Sequence, residues 1–600
     1  MKIDRRDFML SSASASLALF AASTTLAQAA NAAATGTTPR VRRRYVRVGS
    51  RNIHYMTAGE GSPVVLIHGS PGDSSFFNEE LPELATKYAV YAFDSPGFGR
   101  SEPPPLEERD VAFLADRIAG AMRALKLPPA VIYGFHTGAA VAMEIAARQP
   151  DVVRALMLDG VPMFNDQELS TWFPEFFLPM VPDKLGGQFT SFWTRCRDQG
   201  IWFPWSYKKP EHAMRQGVEA TAEIQDIMRR IVQPARTYVP TFRSAVHYGP
   251  RVQGILSKIT QPTVILCAEG DVLAGHLDRL PPLRSNQSIK LVATAEEVHA
   301  NRDQLLLQFA GTARAPSIAT AVPVPLDAGV NAHVLELPDG REIFMRVAGK
   351  TNLPPLLLIH DAPGTSHMHL PLIEALSAHA RVYAVDLPGC GESAPFATTS
   401  PTTADYAETL RSVMVALGLK RAAVYGIGFG SSVALDLATR HPKMVDSVVL
   451  QSVLLPSAQE RQDLAQNYAP AIELKADGSH WYATWLMLRD SVAFWPWYNT
   501  SPDALRSAYS ADAFDADRLH DRTVEVMKRY GSYQHVINAA LSQDALLLLG
   551  QLKSKTVLCT DVTHPFSVYD ETLVKSRPDS LTLQARGVEH VAQLARMIGI

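Results

Sequence analysis

Two stretches of the chain have the glycine spacing of a nucleophile elbow, a tight turn between a strand and a helix that presents a catalytic serine. The sequence reads GFHTG at residues 134–138 and GIGFG at residues 426–430, and each follows one apolar run and opens another. The position that should hold serine is His136 in the first stretch and Gly428 in the second. An imidazole at this place is capable of covalent catalysis, whereas glycine brings no side chain for chemistry.

The two turns belong to a long internal repeat. Gly428 follows His136 by 292 residues, as Asp386 follows Asp94 and Cys559 follows Cys267. A repeat of this length is a whole domain and not a solenoid unit of 20–50 residues. We therefore predict two domains, at residues 40–310 and 332–600, joined by an Ala/Pro-rich linker at residues 311–331.

Composition places the chain among ordinary globular proteins, with 46% hydrophobic and 20% charged residues out of 600. The net charge of −3 gives no broad basic face, so nucleic acid is not an expected partner. The short basic run at residues 40–44 is interpreted as a solvated segment after a leader. We expect no zinc site, because no Cys/His spacing resembles one, and no organic cofactor, because neither glycine turn is a dinucleotide fingerprint.

The first 29 residues have the pattern of an export signal. Arg5-Arg6 forms a twin-arginine motif, a mildly apolar stretch follows, and Ala27-Gln28-Ala29 offers a cleavage site. We expect a periplasmic or secreted protein with no membrane span after signal removal, since no other segment has eighteen uninterrupted apolar residues.

Apolar strand-like runs alternate with helical stretches in both halves of the chain. In the first half the runs are 64–68, 89–93, 130–133, 155–158 and 263–267, and in the second they are 356–360, 382–385, 422–425, 447–450 and 556–558. This alternation predicts an α/β fold with a mostly parallel, doubly wound sheet in each domain. One aromatic-rich helical insertion interrupts each sheet, at about 163–259 and 455–553, and is expected to cap the strand ends.

Together these turns and insertions resemble the α/β-hydrolase superfamily, in its capped branch with epoxide hydrolases and haloperoxidase-like esterases. The resemblance implies a nucleophile, a histidine base and a carboxylate that orients it. In the first domain the histidine matches His299 and the acid matches Asp271, with Asp159 as an alternative acid one strand earlier. The oxyanion donors implied by the resemblance are the backbone N–H groups of Ser70 and Thr137.

In the second domain the resemblance leaves little for catalysis. His590 matches the histidine, but the two acid positions hold Thr563 and Gln451, and Asp561 stands two residues early. A shifted elbow around Ser431 is the other candidate, although it lies about one helical turn too late. We therefore expect this domain to be catalytically silent.

Three interpretations of His136 remain open: a nucleophile deprotonated by His299, a metal ligand with His299 and Asp271, or an inert residue in a binding pocket. The first makes the protein a hydrolase of a small, apolar, ester-like substrate held in the first domain. The alternative is a ligand-binding or scaffold protein built from two degenerate hydrolase domains, which contact each other within the chain. The histidine beside an otherwise complete site distinguishes the two hypotheses.

Overall fold

The computed structural model describes residues 39–103, 105, 110–214, 217–234, 237–317 and 329–600. The chain divides into two compact units, the first comprising the chain up to Val181 and Ser191–Ala319, the second Pro182–Thr190 and Thr320–Ile600. The export signal at residues 1–29 and the middle of the predicted linker lie outside the described residues. In the described part of the chain, no helix is long and apolar enough to cross a membrane.

The first domain is built on an eight-stranded sheet with the strand order β1-β2-β4-β3-β5-β6-β7-β8. Strands β1, β2 and β4 pair antiparallel, and the remaining pairs are parallel. The central strands are apolar and buried along their length, as expected for strands covered on both faces. The strands are β1 (Arg42–Val48), β2 (Arg51–Ala58), β3 (Pro63–Ile67), β4 (Ala89–Phe93), β5 (Ala130–Phe135), β6 (Val153–Asp159), β7 (Thr263–Ala268) and β8 (Gln287–Val292).

Helices pack on both faces of this sheet and also form the predicted insertion between β6 and β7. Helices α4 to α8 belong to that insertion, which we call the first cap. The helices are α1 (Glu80–Leu84), α2 (Val111–Ala124), α3 (Thr137–Arg148), α4 (Asp166–Trp172), α5 (Gly187–Asp198), α6 (Thr221–Val232), α7 (Tyr238–Val246), α8 (Gly249–Leu256) and α9 (Ala295–Phe309).

The second domain repeats this architecture, with the strand order β16-β15-β14-β13-β11-β12-β10-β9. Its strands are β9 (Asn331–Glu336), β10 (Glu342–Ala348), β11 (Pro355–Ile359), β12 (Arg381–Val385), β13 (Ala422–Ile427), β14 (Val445–Gln451), β15 (Lys555–Thr560) and β16 (Leu581–Gln584). Its helices are α10 (Leu370–Leu376), α11 (Thr403–Ala416), α12 (Phe429–Arg440), α13 (Ala458–Asn467), α14 (Ser479–Ala493), α15 (Ala516–Met527), α16 (His535–Leu541), α17 (Ala545–Gln551), α18 (Asp570–Ser576) and α19 (Val591–Ile598). Helices α13 to α17 stand between β14 and β15, where the second cap was predicted.

The predicted α/β class and the doubly wound sheets are confirmed, but the edge strands were missed. The interpretation of the basic run as a solvated segment is wrong, because Arg42–Val48 forms strand β1 and Arg44 is buried opposite Tyr55. Likewise, the predicted linker ends too late, since Asn331 already begins strand β9. Edge strands mix polar and apolar residues, so they lack the continuous apolar run that marks a central strand.

Candidate active site

The elbow of the first domain places His136 between β5 and α3 in a strained backbone conformation. His136 has φ +49° and ψ −106°, a region that residues with a side chain enter at a cost of about 1–3 kcal/mol. Both flanking glycines are required, because a Cβ on Gly134 would lie 2.3 Å from the Gly138 carbonyl oxygen and one on Gly138 would lie 2.0 Å from that of Ile67. The fold thus keeps the sharp turn of a nucleophile elbow and presents an imidazole on it.

His136 is hydrogen-bonded directly to Asp271, the acid that the sequence predicts. The His136 Nε2 atom lies 2.9 Å and 3.1 Å from the two carboxylate oxygens of Asp271, which follows strand β7. The backbone N–H of Leu273 holds the same carboxylate at 2.7 Å, and the ring of Phe135 stacks on the imidazole at 3.9 Å. We call His136 and Asp271 the dyad.

A glycine makes room for the dyad. Gly160, just after β6, lies against the imidazole, and a Cβ there would stand 2.6 Å from the Cδ2 atom of His136. The residue 292 positions later is Ser452, which also has a positive φ. A side chain is therefore tolerated in this backbone conformation. The first domain has glycine here because a side chain would occupy the space of the His136 ring.

The electrostatics of the dyad are those of an ion pair. Burial alone would lower the pKa of His136, but the carboxylate of Asp271 outweighs it and the pKa is raised above its ordinary value. Burial alone would raise the pKa of Asp271, but His136 and the N–H of Leu273 leave it lowered. An imidazole oriented through Nε2 keeps Nδ1 as its second nitrogen, which carries the reactive lone pair whenever the ring is neutral.

His299 does not take the place that the resemblance implied. It lies inside helix α9, and its Nε2 atom is 3.8 Å from a carboxylate oxygen of Glu80, too far for a hydrogen bond. Within the described residues, the structure records no hydrogen bond from His299 to His136 or to Asp271. Burial, followed by the nearby Arg302 cation, lowers the pKa of His299 to about 4, so this histidine is neutral at pH 7. The expected contact between Asp271 and His299 is thus replaced by the one between Asp271 and His136.

The alternative acid, Asp159, belongs to a different interaction. It ends strand β6, is buried, and accepts a hydrogen bond from the hydroxyl of Tyr133. Burial raises the pKa of Asp159 to about 7, despite that hydrogen bond. An acid with this pKa is half protonated at neutral pH and is poorly suited to hold an imidazolium.

The two predicted oxyanion donors border the same space. Ser70 and Thr137 line a small pocket together with His136. In the described part of the chain, no hydrogen-bond acceptor is recorded for the backbone N–H of Ser70 or of Thr137, and the Ser70 hydroxyl oxygen is buried without a partner. Two backbone N–H groups without a recorded acceptor therefore border the pocket beside the imidazole.

These groups open into a cavity of about 960 Å³ under the first cap. His136, Asp271, Asp159 and His299 all line it. Aromatic side chains form part of the remaining wall, among them Phe76, Phe135, Phe176, Trp202, Phe203 and Trp205. The metal-ligand interpretation of His136 gains no support, since among the described residues no three His, Cys, Asp or Glu side chains are grouped to hold an ion.

The corresponding turn of the second domain is filled by a carboxylate. Asp361 accepts a hydrogen bond from the backbone N–H of Phe429 at 2.8 Å, and its other oxygen lies 3.1 Å from the Nε2 atom of His564. Phe429 is the counterpart of Thr137, so Asp361 occupies the oxyanion position. Burial would raise the pKa of Asp361, but His564, the N–H of Phe429 and the Arg522 cation together outweigh it and the pKa is lowered.

Gly428 is what allows this arrangement. A Cβ on Gly428 would stand 1.9 Å from the Oδ1 atom of Asp361, so a side chain on the turn and the carboxylate exclude each other. The shifted elbow is not a site either, because the hydroxyl of Ser431 is buried and donates to the carbonyl oxygens of Gly426 and Gln451.

The other candidate residues of the second domain are engaged with each other. His590 lies 3.2 Å from the hydroxyl of Tyr425, which also contacts Gln451. The amide of Gln451 donates to Asp561 at 3.1 Å, and the hydroxyl of Thr563 donates to the same carboxylate at 2.7 Å. No described carboxylate orients the imidazole of His590.

Sequence reasoning missed Asp361, His564 and Gly160. The signal for two of them was available in the repeat, because Asp361 replaces Gly69 and Ser452 replaces Gly160 at the common offset. What the sequence does not give is the direction of the Asp361 carboxylate, which turns back onto the elbow.

Comparison with known proteins agrees with this geometry. A family profile described as alpha/beta hydrolase fold matches residues 62–198 and again residues 354–490. Each half of the chain therefore contains a segment that matches this family, and both domains have the α/β-hydrolase fold.

Curated relatives are similar over only part of their length. The chain is 36% identical over 126 residues to a 2-hydroxymuconate semialdehyde hydrolase of Pseudomonas sp. (strain CF600), covering 20% of this chain and 44% of the relative. It is 35% identical over 122 residues to a pimeloyl-[acyl-carrier protein] methyl ester esterase of Chromobacterium violaceum, covering 20% and 45%. The chain thus spans less than half the length of these relatives.

Solved structures of single domains are also similar. One is a hydrolase from Pseudomonas aeruginosa PA01, with 20% identity, a TM-score of 0.34 and coverage of 46% of this chain and 97% of that chain. Another is an epoxide hydrolase from an endophytic Streptomyces, with 18% identity, a TM-score of 0.36 and coverage of 46% and 96%.

Proposed function

We propose that the first domain hydrolyses a small, largely apolar ester-like substrate by means of the dyad of His136 and Asp271. The single observation that carries this proposal is the hydrogen bond between His136 Nε2 and Asp271 at the wall of the aromatic cavity. The strain held at His136 supports it, since a strained backbone is retained when the surrounding structure requires that residue. An inert position would be served as well by glycine, as it is at Gly428.

The chemistry follows from the two nitrogens of His136. Asp271 accepts a hydrogen bond from the Nε2–H group and so fixes the tautomer, which leaves Nδ1 free to take a proton from a water molecule. The resulting hydroxide attacks the substrate carbonyl, and the N–H groups of Ser70 and Thr137 donate to the oxygen that becomes negative. The proton on Nδ1 then passes to the leaving alkoxide, which returns the dyad to its starting state. His299 has no role in these steps.

The hydrolytic class also draws on the relatives. Both curated relatives named above are hydrolases by name, one an esterase. The names of these relatives do not define the substrate of this chain, because less than half of each relative is matched and neither domain here has a serine at the elbow.

For the second domain we propose no catalysis. The carboxylate of Asp361 is bonded to the N–H group that would stabilise an oxyanion, and it would repel negative charge developing there. The turn has no side chain, and His590 has no carboxylate partner among the described residues. These observations favour a structural or ligand-binding role for this domain.

We further propose that the chain is exported by the twin-arginine route. Arg5-Arg6 and the Ala27-Gln28-Ala29 site support this proposal. The four cysteines are buried and free, which agrees with a protein that folds in a reducing compartment before export. Fractionation of cells expressing the natural chain and an Arg5→Lys/Arg6→Lys variant tests it, since the variant should stay in the cytoplasm.

The hydrolase proposal is tested by assaying the purified full chain on a series of small aryl esters. We expect turnover that His136→Gln lowers by at least about 100-fold, the usual contribution of a general base. His590→Gln, the same type of substitution at a histidine of the second domain, should leave turnover unchanged. Equal activity in wild type and His136→Gln would refute the proposal and favour a binding protein.

A further inference from the structure

Arg195 is a buried cation in the first cap, and the described part of the chain gives it no anionic partner. It lies on helix α5, is only 2% exposed, and lines the cavity under that cap. Its guanidinium donates to the neutral side chain of Gln199 at 2.5 Å and lies 5.7 Å from the ring centre of Trp205. The Tyr238 hydroxyl and the Cys196 thiol beside it are neutral as well, because burial raises the pKa of both. The Nε atom is buried with no hydrogen-bond partner, and no described carboxylate lies within 4 Å of the guanidinium.

Two other buried arginines of this domain lie beside carboxylates. Arg230, which lines the same cavity, lies 3.1 Å from Asp226, and Arg302 lies 3.0 Å from Asp303. Removing a charge from water without a counter-ion is costly, so a protein keeps such a group where a ligand supplies the opposite charge. Arg195 lines the cavity and has no such carboxylate within 4 Å among the described residues.

Three other acids that line the cavity are not paired with Arg195. Asp226 is held by Arg229 and Arg230, and Glu223 lies beside Glu219. Burial, followed by that neighbouring carboxylate, raises the pKa of Glu223 to about 7. None of these three acids comes within salt-bridge distance of Arg195.

The repeat gives an internal comparison. At the common offset, Arg195 corresponds to Met487 in the second domain, which is buried on helix α14. The position thus accepts an apolar side chain of similar length in the same fold. The arginine occurs in the domain with the dyad and is absent from the domain whose turn is filled by Asp361, which ties it to a ligand and not to the fold.

We propose that Arg195 binds the carboxylate of a substrate whose apolar body lies along the aromatic wall toward His136. Phe176 connects the two ends, because it lines the cavity at Arg195 and also the small pocket at His136 and Ser70. The inference rests on the proposed hydrolysis and deepens it, since the substrate class becomes an ester-like compound that carries a carboxylate. A guanidinium fork and a carboxylate are matched in geometry and charge.

The test is binding, measured by isothermal titration calorimetry with 4-phenylbutyrate and its neutral isostere 4-phenylbutyramide on the full chain. Wild type should bind the carboxylate about 10- to 100-fold more tightly than the amide, as expected for a hydrogen-bonded charge pair out of water. Arg195→Met should remove that preference and leave amide binding unchanged. Arg197→Met, on the same helix but half exposed, should keep it.

Two further measurements separate the alternatives. The preference should persist in His136→Gln, so that a binding site for the carboxylate stands even if no ester is hydrolysed. Arg195→Met should unfold at the same temperature as wild type or higher, because it replaces an unpaired buried charge with an apolar side chain. Equal affinity of wild type for the two probes, no binding of the carboxylate, or an unchanged preference in Arg195→Met would overturn the inference.

Discussion

Substituting Gly160 by alanine tests whether the space beside His136 sustains the dyad. The new Cβ would stand 2.6 Å from the Cδ2 atom and 3.0 Å from the Nε2 atom of the imidazole, whereas carbon atoms in contact need about 3.5–4.0 Å. The ring must therefore move by about 1 Å, which takes Nε2 out of hydrogen-bond range of Asp271. A displacement of this size at a catalytic group costs about 100-fold in rate.

The assay for Gly160→Ala combines aryl ester hydrolysis with thermal unfolding. We expect kcat/KM to fall about 100-fold and the free energy of unfolding to fall by about 1–3 kcal/mol, the usual cost of overpacking. Ser452→Ala is the matched control, since that position has the same backbone conformation and already carries a Cβ. A Gly160→Ala protein with wild-type kcat/KM would show that the position of the His136 ring does not matter for activity.

Three further predictions concern pH and the second domain. Because the proposed base must be neutral and the pKa of His136 is raised above its ordinary 6.5, kcat/KM should increase with pH, with a midpoint above 6.5; a flat profile would contradict this. The ion pair of His136 and Asp271 stabilises the fold between pH 3.8 and pH 6.5, the ordinary pKa values of Asp271 and His136. This stability is lost as the pH falls through the lowered pKa of Asp271 or rises through the raised pKa of His136. Denaturant unfolding of wild type and His136→Gln measures it. Gly428→Ser should gain no esterase activity in a His136→Gln background, and it should lower the unfolding temperature because its Cβ would overlap Asp361. New turnover that depends on the introduced serine would refute the proposal that this domain is catalytically silent.

The sequence predicts the fold well where neighbouring residues alone determine the structure. Central parallel strands such as β3 and β5 are continuous apolar runs, and the repeated glycines of the elbow fix a turn that few other residues allow. Edge strand β1 was missed because it begins with three consecutive arginines, which is also typical of an exposed segment. The placement of His299 within helix α9 was also missed, because the sequence does not show at which residue that helix begins.

Sequence reasoning named two of the residues that the structure brings together, but not the contact between them. Asp271 and His136 were both identified, yet their direct hydrogen bond depends on the imidazole reaching across Gly160, which only coordinates give. The same holds for Asp361, whose replacement of glycine was visible but whose contact with the N–H of Phe429 was not. Side-chain direction is set by packing from distant parts of the chain, and a single sequence carries no record of it.

The central claim is that His136 and Asp271 act as one catalytic unit without His299. The most direct test compares kcat/KM for an aryl ester in His136→Gln, Asp271→Asn, their double variant and His299→Gln. We predict that each dyad variant loses most of the activity, that the double variant loses no more than the worse of the two, and that His299→Gln keeps most of it. Additive losses at His136 and Asp271, or a loss in His299→Gln as large as that in His136→Gln, would contradict the account.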